Sequence, residues 1–350
     1  MATDDTIPMF WRRAVLPETL RQLLQDVSRQ FSQGRITAAT LRQVLTDLGA
    51  VPPQKCVRAA NECTILAFPY PRAVRQSWIS ALFNKPYTDM LGHVAGIEYL
   101  FLFHRDGFQR EAALKQISGP LPTPFWVAVI ALRLNDWVGP VRRAAVTCAQ
   151  RVFRETSPEV MIPAARFLLL QSTLWRRGLD EMAILDAALA RADVRSGLIR
   201  DILDDLTGAG RQILLALLQK EGIDNWLHEI SLSARNPGTR ALALTTLIAG
   251  QARWLEGYEK QWIDKSMGFT RRVPRFAIRP IAIQLGFSEL ITQGAADKST
   301  LVRKVALQAT IDRPDTWRLF QKLVEQFSAD KNPAIRLGAD YILRHMAGES

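Results

Sequence analysis

Arginine returns through this chain in one recurring local setting, and the spacing of those returns restricts the fold more than any other feature. An aspartate stands six residues before an arginine in Asp330-Lys-Asn-Pro-Ala-Ile-Arg336, in Asp297-Lys-Ser-Thr-Leu-Val-Arg303 and in Asp136-Trp-Val-Gly-Pro-Val-Arg142. Asn236-Pro-Gly-Thr-Arg240 and Asp106-Gly-Phe-Gln-Arg110 keep the second half of the pattern. Three residues after each arginine lies an alanine: Ala113, Ala145, Ala243, Ala306 and Ala339. Seven residues after it come Ile117, Ala149, Leu247, Thr310 and Leu343. From Arg110 the arginines step by 32, 98, 63 and 33 residues, close to one, three, two and one repeats of about 32 residues. Two of the further repeats that the period predicts have matching residues. One begins near residue 208, where Gly208-Ala-Gly-Arg211 precedes Leu214, Leu215 and Leu218, and the other near 272, beside Arg271 and Arg272.

Apolar residues recur at three- and four-residue intervals, as in Leu20, Leu23, Leu24, Val27 and Phe31, which is helical periodicity. Alternating strand patterns are hard to find, so the chain reads as all-α. A repeat of this length holds two helices and their turns, and neither helix buries its apolar face without its neighbours. The aspartate or asparagine and the proline suit the start of the second helix, and the alanine allows close packing.

These residues resemble the HEAT-repeat family, in which a turn Asp is followed by Val-Arg and a packed Ala in the second helix. The resemblance covers residues 101–153, 224–250 and 288–347 most closely and is weaker over 154–223 and before residue 100. It implies a right-handed α-solenoid of stacked antiparallel helix pairs over residues 101–347, continuous with a divergent helical cap over residues 1–100. The chain departs from the pattern at Asn236-Pro237, where Ala234 replaces the upstream Asp, and over residues 268–280, where two prolines suggest a longer loop.

Composition narrows the function. Lys and Arg total 45 against 34 Asp and Glu, a net charge of +11, which favours acidic partners. No apolar run approaches the length of about 20 residues that spans a bilayer, and the acidic start Met1-Ala-Thr-Asp-Asp lacks the features of a secretory leader. The expectation is a cytoplasmic protein without membrane contact. Cys56, Cys63 and Cys148 are odd in number and lack CxxC spacing, so reduced core thiols are expected rather than disulfides or a zinc site.

Chemistry-bearing motifs are sparse. Gly208-Ala-Gly210 is only a fragment of a phosphate loop, and His93, His104, His228 and His345 show no paired ligand spacing. Asp204-Asp205 and Asp180-Glu181 are adjacent on helical stretches, where neighbouring side chains diverge. No metal, cofactor or small-molecule substrate is expected, and no catalytic residue is assigned.

Asp136, Asp297, Asp330, Arg142, Arg303 and Arg336 read as a ladder in which guanidinium groups lock turn aspartates. Arg110 and Arg240, whose partner positions depart most from the pattern, are candidates to meet an anionic partner. So are Lys265, Arg271, Arg272, Arg275 and Arg279, since no acidic residue lies between Asp264 and Glu289. Trp137, in a repeat turn, is a candidate aromatic contact. The resemblance implies a non-catalytic scaffold that presents a concave surface to a protein partner within a complex. The alternative is a solenoid that contacts nucleic-acid phosphates. Some HEAT-like solenoids are DNA glycosylases for alkylated bases, and Asp136 beside Trp137 superficially fits that activity.

Overall fold

The computed structural model describes residues 14–33, 35–69, 91, 94–171 and 181–348. The acidic start, His93, Asp180 and parts of the N-terminal cap lie outside the described residues. The described part is helical except for one two-stranded antiparallel sheet. The chain divides into two compact units, Met1–Gly197 and Leu198–Ser350, so residue 100 falls inside the first.

In the first unit, α1 (Glu18–Ser32), α2 (Ala38–Gly49) and α3 (Cys56–Ala67) lead, after α4 (Ile97–Phe101), into α5 (Gly107–Gln116), α6 (Pro124–Leu134) and α7 (Gly139–Glu155). Helix α1 buries Leu20, Leu24, Val27 and Phe31, the stripe expected of a one-sided surface helix. By contrast, α6 is apolar on every side and buries Phe125 through Ala131, so it packs against α7, α8 (Pro158–Gln171), α3 and α2. Glu62 is buried and accepts the backbone N–H groups of Val15 (2.6 Å) and Leu16 (3.4 Å), which ties the chain entering α1 to α3. Helices α9 (Met182–Leu189) and α10 (Ala192–Asp204) follow, with α10 crossing the unit boundary.

The second unit continues with α11 (Ala209–Leu217), α12 (Leu227–Ser233), α13 (Pro237–Ala249), α14 (Phe287–Ala295), α15 (Thr300–Ile311), α16 (Gln321–Ser328) and α17 (Pro333–Ala347). A helix does start at Ala209, directly after the sequence position expected from the period. Asn236, Ser299 and Asn332 cap α13, α15 and α17 by accepting first-turn N–H groups, which satisfies donors that a helix start leaves orphaned. Each of α12/α13, α14/α15 and α16/α17 packs as a pair, and α13, α15 and α17 pack successively on one another. The repeat alanines Ala243, Ala306 and Ala339 are fully buried there. At Gly294, an added Cβ would come within 2.7 Å of Leu244 Cδ2 and 2.9 Å of Ala306 Cβ. Only glycine permits α14 to approach this closely.

The repeat expected near residue 272 is replaced by a β-ribbon. Strand β1 (Gln251–Asp264) pairs antiparallel with β2 (Phe269–Pro280). Gly250 ends α13 at φ +65°, a left-handed conformation that glycine adopts without strain, and turns the chain directly into β1. Ile281 N–H donates to the Gly250 carbonyl at 3.1 Å and closes the ribbon base. The 63-residue step from Arg240 to Arg303 is therefore one repeat plus an insertion. Without residues 251–280 it shortens to 33, which is also the step from Arg303 to Arg336.

Candidate functional site

The repeat arginines form a rung geometry that recurs in both units. Arg110 sends Nε and Nη2 to the two carboxylate oxygens of Asp136 (3.0 and 2.8 Å), while Nη1 donates to the carbonyls of His104 and Arg105 (both 2.8 Å). Arg240 repeats this with Asp297 (2.8 and 2.9 Å) and the carbonyls of Ala234 and Arg235. Arg303 repeats it with Asp330 (2.6 and 3.0 Å) and the carbonyls of Asp297 and Lys298. Each forked pair joins one second helix to the turn before the next. Asp136, Asp297 and Asp330 also accept the N–H two residues on, so each carboxylate organises its own turn as well.

Arg110 and Arg240, read from the sequence as contacts for an anionic partner, are instead buried (3 % exposed each) and engaged by carboxylates. Their guanidinium groups are not available to an outside ligand. Arg142 does not bond the Asp136 carboxylate; it donates to the Asp136 carbonyl at 3.0 Å and to Glu181 at 2.9 Å. Arg336 keeps the own-turn contacts, to the carbonyls of Asp330 and Lys331, but forms no ion pair with a carboxylate among the described residues.

Burial would raise the Asp136 pKa, but the Arg110 fork and the charge of Arg133, 2.7 Å away, outweigh it and hold the carboxyl below its usual range. A carboxylate so fully engaged is a poor general base. Trp137 beside it is 71 % exposed, whereas the Asp136 carboxylate is buried against Arg110 and Arg133. Burial pushes the thiols of Cys56 and Cys148 up, to about 12 and about 11, and that of Cys63 up as well, which suppresses thiolate chemistry. Among the described residues no cluster of three metal-ligating side chains occurs.

The first unit carries a cleft of about 650 Å³ whose lining includes Arg42, Thr123, Tyr99 and Trp126. Burial raises the Tyr99 hydroxyl to about 12, so it is neutral at ordinary pH. Among the described residues the cleft lining holds no paired acid and base.

The ribbon is exposed along most of its length. At its base, Arg279 forks onto Asp224 (3.0 and 2.8 Å), and Asp224 also accepts the Ala282 N–H at 2.9 Å. The Arg279 fork holds the Asp224 carboxyl below its usual range against the effect of burial. Ala252 is fully buried beside this anchor. At the far end, Asp264 accepts the Ser266 N–H and hydroxyl (2.8 and 2.6 Å) and the Met267 N–H (3.2 Å), with Gly268 in the left-handed region.

Directly paired residues share a face of an antiparallel sheet, and successive residues alternate. The register places Arg253, Leu255, Tyr258, Lys260 and Trp262 of β1 opposite Ile278, Phe276, Pro274, Arg272 and Thr270 of β2. None of these is acidic. The other face carries Glu259, Gln261 and Asp264 with Arg271, Arg275 and Arg279. There Arg271 bonds Gln261 (2.7 Å), and Arg275 pairs with Glu256 (3.1 Å).

The basic cluster seen in the sequence is thus divided. Arg271, Arg275 and Arg279 lie on the mixed face with partners, Lys265 sits in the exposed turn, and Arg272 lies on the acid-free face. Arg253, Lys260, Tyr258, Trp262 and Phe276, which local sequence did not single out, complete that face. Tyr258 and Trp262 are 62 % and 54 % exposed, and the Arg253 guanidinium sits 3.9 Å over the Phe276 ring. Among the described residues no helix is long and apolar enough to cross a membrane. Comparison of the chain with family models, with curated proteins and with solved structures finds no match to any of them.

Proposed function

We propose that this chain is a non-catalytic binding scaffold in which HEAT-like helix pairs, stacked as an α-solenoid, form the framework and the β-ribbon is the contact element. The observation that carries this is the ribbon itself. It interrupts the repeat pattern as a thirty-residue insertion, is anchored at its base by Arg279 and Asp224, and leaves Leu255, Tyr258, Trp262, Ile263, Met267 and Phe269 exposed. A two-stranded ribbon gains little from exposing such side chains to water, and a partner surface would cover them. The forked carboxylates and the raised thiols support a framework role for the groups that could otherwise do chemistry.

A second reading keeps the protein partner on the helices. It is favoured by Leu301 on α15 and by Leu337 and Tyr341 on α17, which are exposed on second helices of successive repeats. Photo-crosslinking from the protein in its own cells separates the two. A photo-reactive residue at Tyr258 should give discrete adducts, and one at Leu337 should give none. Adducts from Leu337 alone would move the contact to the helices and contradict the ribbon reading.

A further inference from the structure

The acid-free face has a centre that the hairpin alone does not explain. Lys260 and Arg272 are directly opposed across the strands, and like charges at such a position destabilise a hairpin. No residue paired in register on their face is acidic, and neither side chain has an ion-pair partner among the described residues. One pair along the ribbon lies Tyr258 opposite Pro274, and one pair the other way lies Trp262 opposite Thr270. The order on one face is therefore aromatic, cation pair, aromatic. Steps of two residues along a strand cover about 6.6 Å, so the backbone position of each ring lies about that far from that of Lys260.

We infer that this face binds single-stranded nucleic acid, with the Lys260–Arg272 pair holding a backbone phosphate and the exposed rings of Tyr258 and Trp262 stacking on the flanking bases. Arg253, over Phe276, extends the positive strip toward the ribbon base. An anionic phosphate between Lys260 and Arg272 relieves their repulsion, which a neutral or basic partner cannot do. Ring faces stack on unpaired bases, whereas in a duplex the base faces are already covered. The chemistry therefore favours a single strand over groove binding. This inference rests on the ribbon being the contact element and names what it contacts.

The test titrates the full-length chain with oligothymidylate and oligouridylate, followed by tryptophan fluorescence and by filter binding across salt concentrations. Lys260→Gln with Arg272→Gln removes two cations from the acid-free face, and Arg271→Gln with Arg275→Gln removes two from the other. The first pair should reduce affinity and lower the salt slope by about 0.7, the value for one phosphate contact on a single strand; the second should change both much less. Tyr258→Ala and Trp262→Ala should each weaken binding roughly tenfold or more, while far-ultraviolet circular dichroism stays unchanged.

Equal effects of the two charge pairs would show attraction by net charge alone and overturn the assignment. So would duplex bound as tightly as single strand. No affinity for either oligonucleotide at low salt, or a Trp262 response only to phosphatidylserine vesicles, would also overturn it. In those cases a protein adduct from position 258 would leave the ribbon reading standing, and the absence of any adduct would remove both.

Discussion

Replacing Asp297 with alanine should unfold the second unit at a markedly lower temperature, and the size of the loss follows from the rung. The substitution removes two charge-assisted bonds from Arg240, at 2.8 and 2.9 Å, and the acceptor for the Ser299 N–H at 2.6 Å. Arg240 is buried, with a side chain only 3 % exposed, so its guanidinium is left without its counter-charge where water cannot readily replace it. Breaking a buried pair by removing one partner costs about 3–5 kcal/mol. Because Asp297 is itself slightly more exposed, at 12 %, the expected loss is at the lower end, about 3 kcal/mol, or about 10 °C for a unit of this size.

Arg336→Ala is the internal comparison. It loses donors to the carbonyls of Asp330 and Lys331 but no carboxylate, so its expected effect is about 1 kcal/mol. Urea unfolding followed at 222 nm measures both. A loss below about 1 kcal/mol for Asp297→Ala, or equal losses for the two variants, would refute the view that forked rungs hold successive pairs together.

Three further outcomes follow from the packing and the protonation equilibria. Gly294→Val places a side chain against Leu244 and Ala306 and should destabilise by about 1–3 kcal/mol through overpacking, with Gly294→Ala milder; a neutral valine in the same urea assay would contradict the close approach. Burial lowers the His104 pKa from 6.5 to about 4. The unfolded chain therefore binds its proton first, and stability should fall as pH drops from about 6.5 to 4, by up to about 3 kcal/mol. His104→Gln should flatten that limb of the pH–stability curve, and an unchanged curve would count against it. Cys56, Cys63 and Cys148 are buried with raised pKa values and should react with a thiol reagent only on unfolding; fast native labelling of any of them would be inconsistent with this burial.

Much of the helical framework was legible because its signals are local. Leu20, Leu24, Val27 and Phe31 mark one face of α1 by spacing alone, and Asn236 and Asn332, each before a proline, mark helix starts by cap chemistry. The arginines could be located by their period, but not their partners. The carboxylate facing Arg240 is 57 residues away, beyond the inserted ribbon, so local spacing pointed to a missing partner where a distant one exists. That is why Arg240 looked free, while the carboxylate facing Arg110 is Asp136, 26 residues on in the turn of the next repeat.

The ribbon was hidden for two reasons. Neither of its faces is wholly buried, so apolar and polar residues do not alternate cleanly, and Pro274 argues against a strand in a one-dimensional reading. The irregularity between Leu255 and Gly257 then moves the acid-free face from Arg253 and Leu255 to Tyr258, Lys260 and Trp262. A bulge changes which residues share a face, and only the register reveals the change. The sequence therefore exposed the cluster Arg271, Arg272, Arg275 and Arg279, of which only Arg272 joins that face.

Excising residues 254–277 and joining Arg253 to Ile278 through a two-residue Asn-Gly turn tests the central claim most directly, because such a turn closes a short hairpin. The excision leaves Ala252 and the Arg279–Asp224 anchor in place, and the Arg240–Asp297 rung with them. A melting temperature within a few degrees of the intact chain, together with loss of oligonucleotide binding, is the predicted result. Collapse of the helical unit, or binding that survives excision unchanged, would contradict a separable contact ribbon on a helical framework.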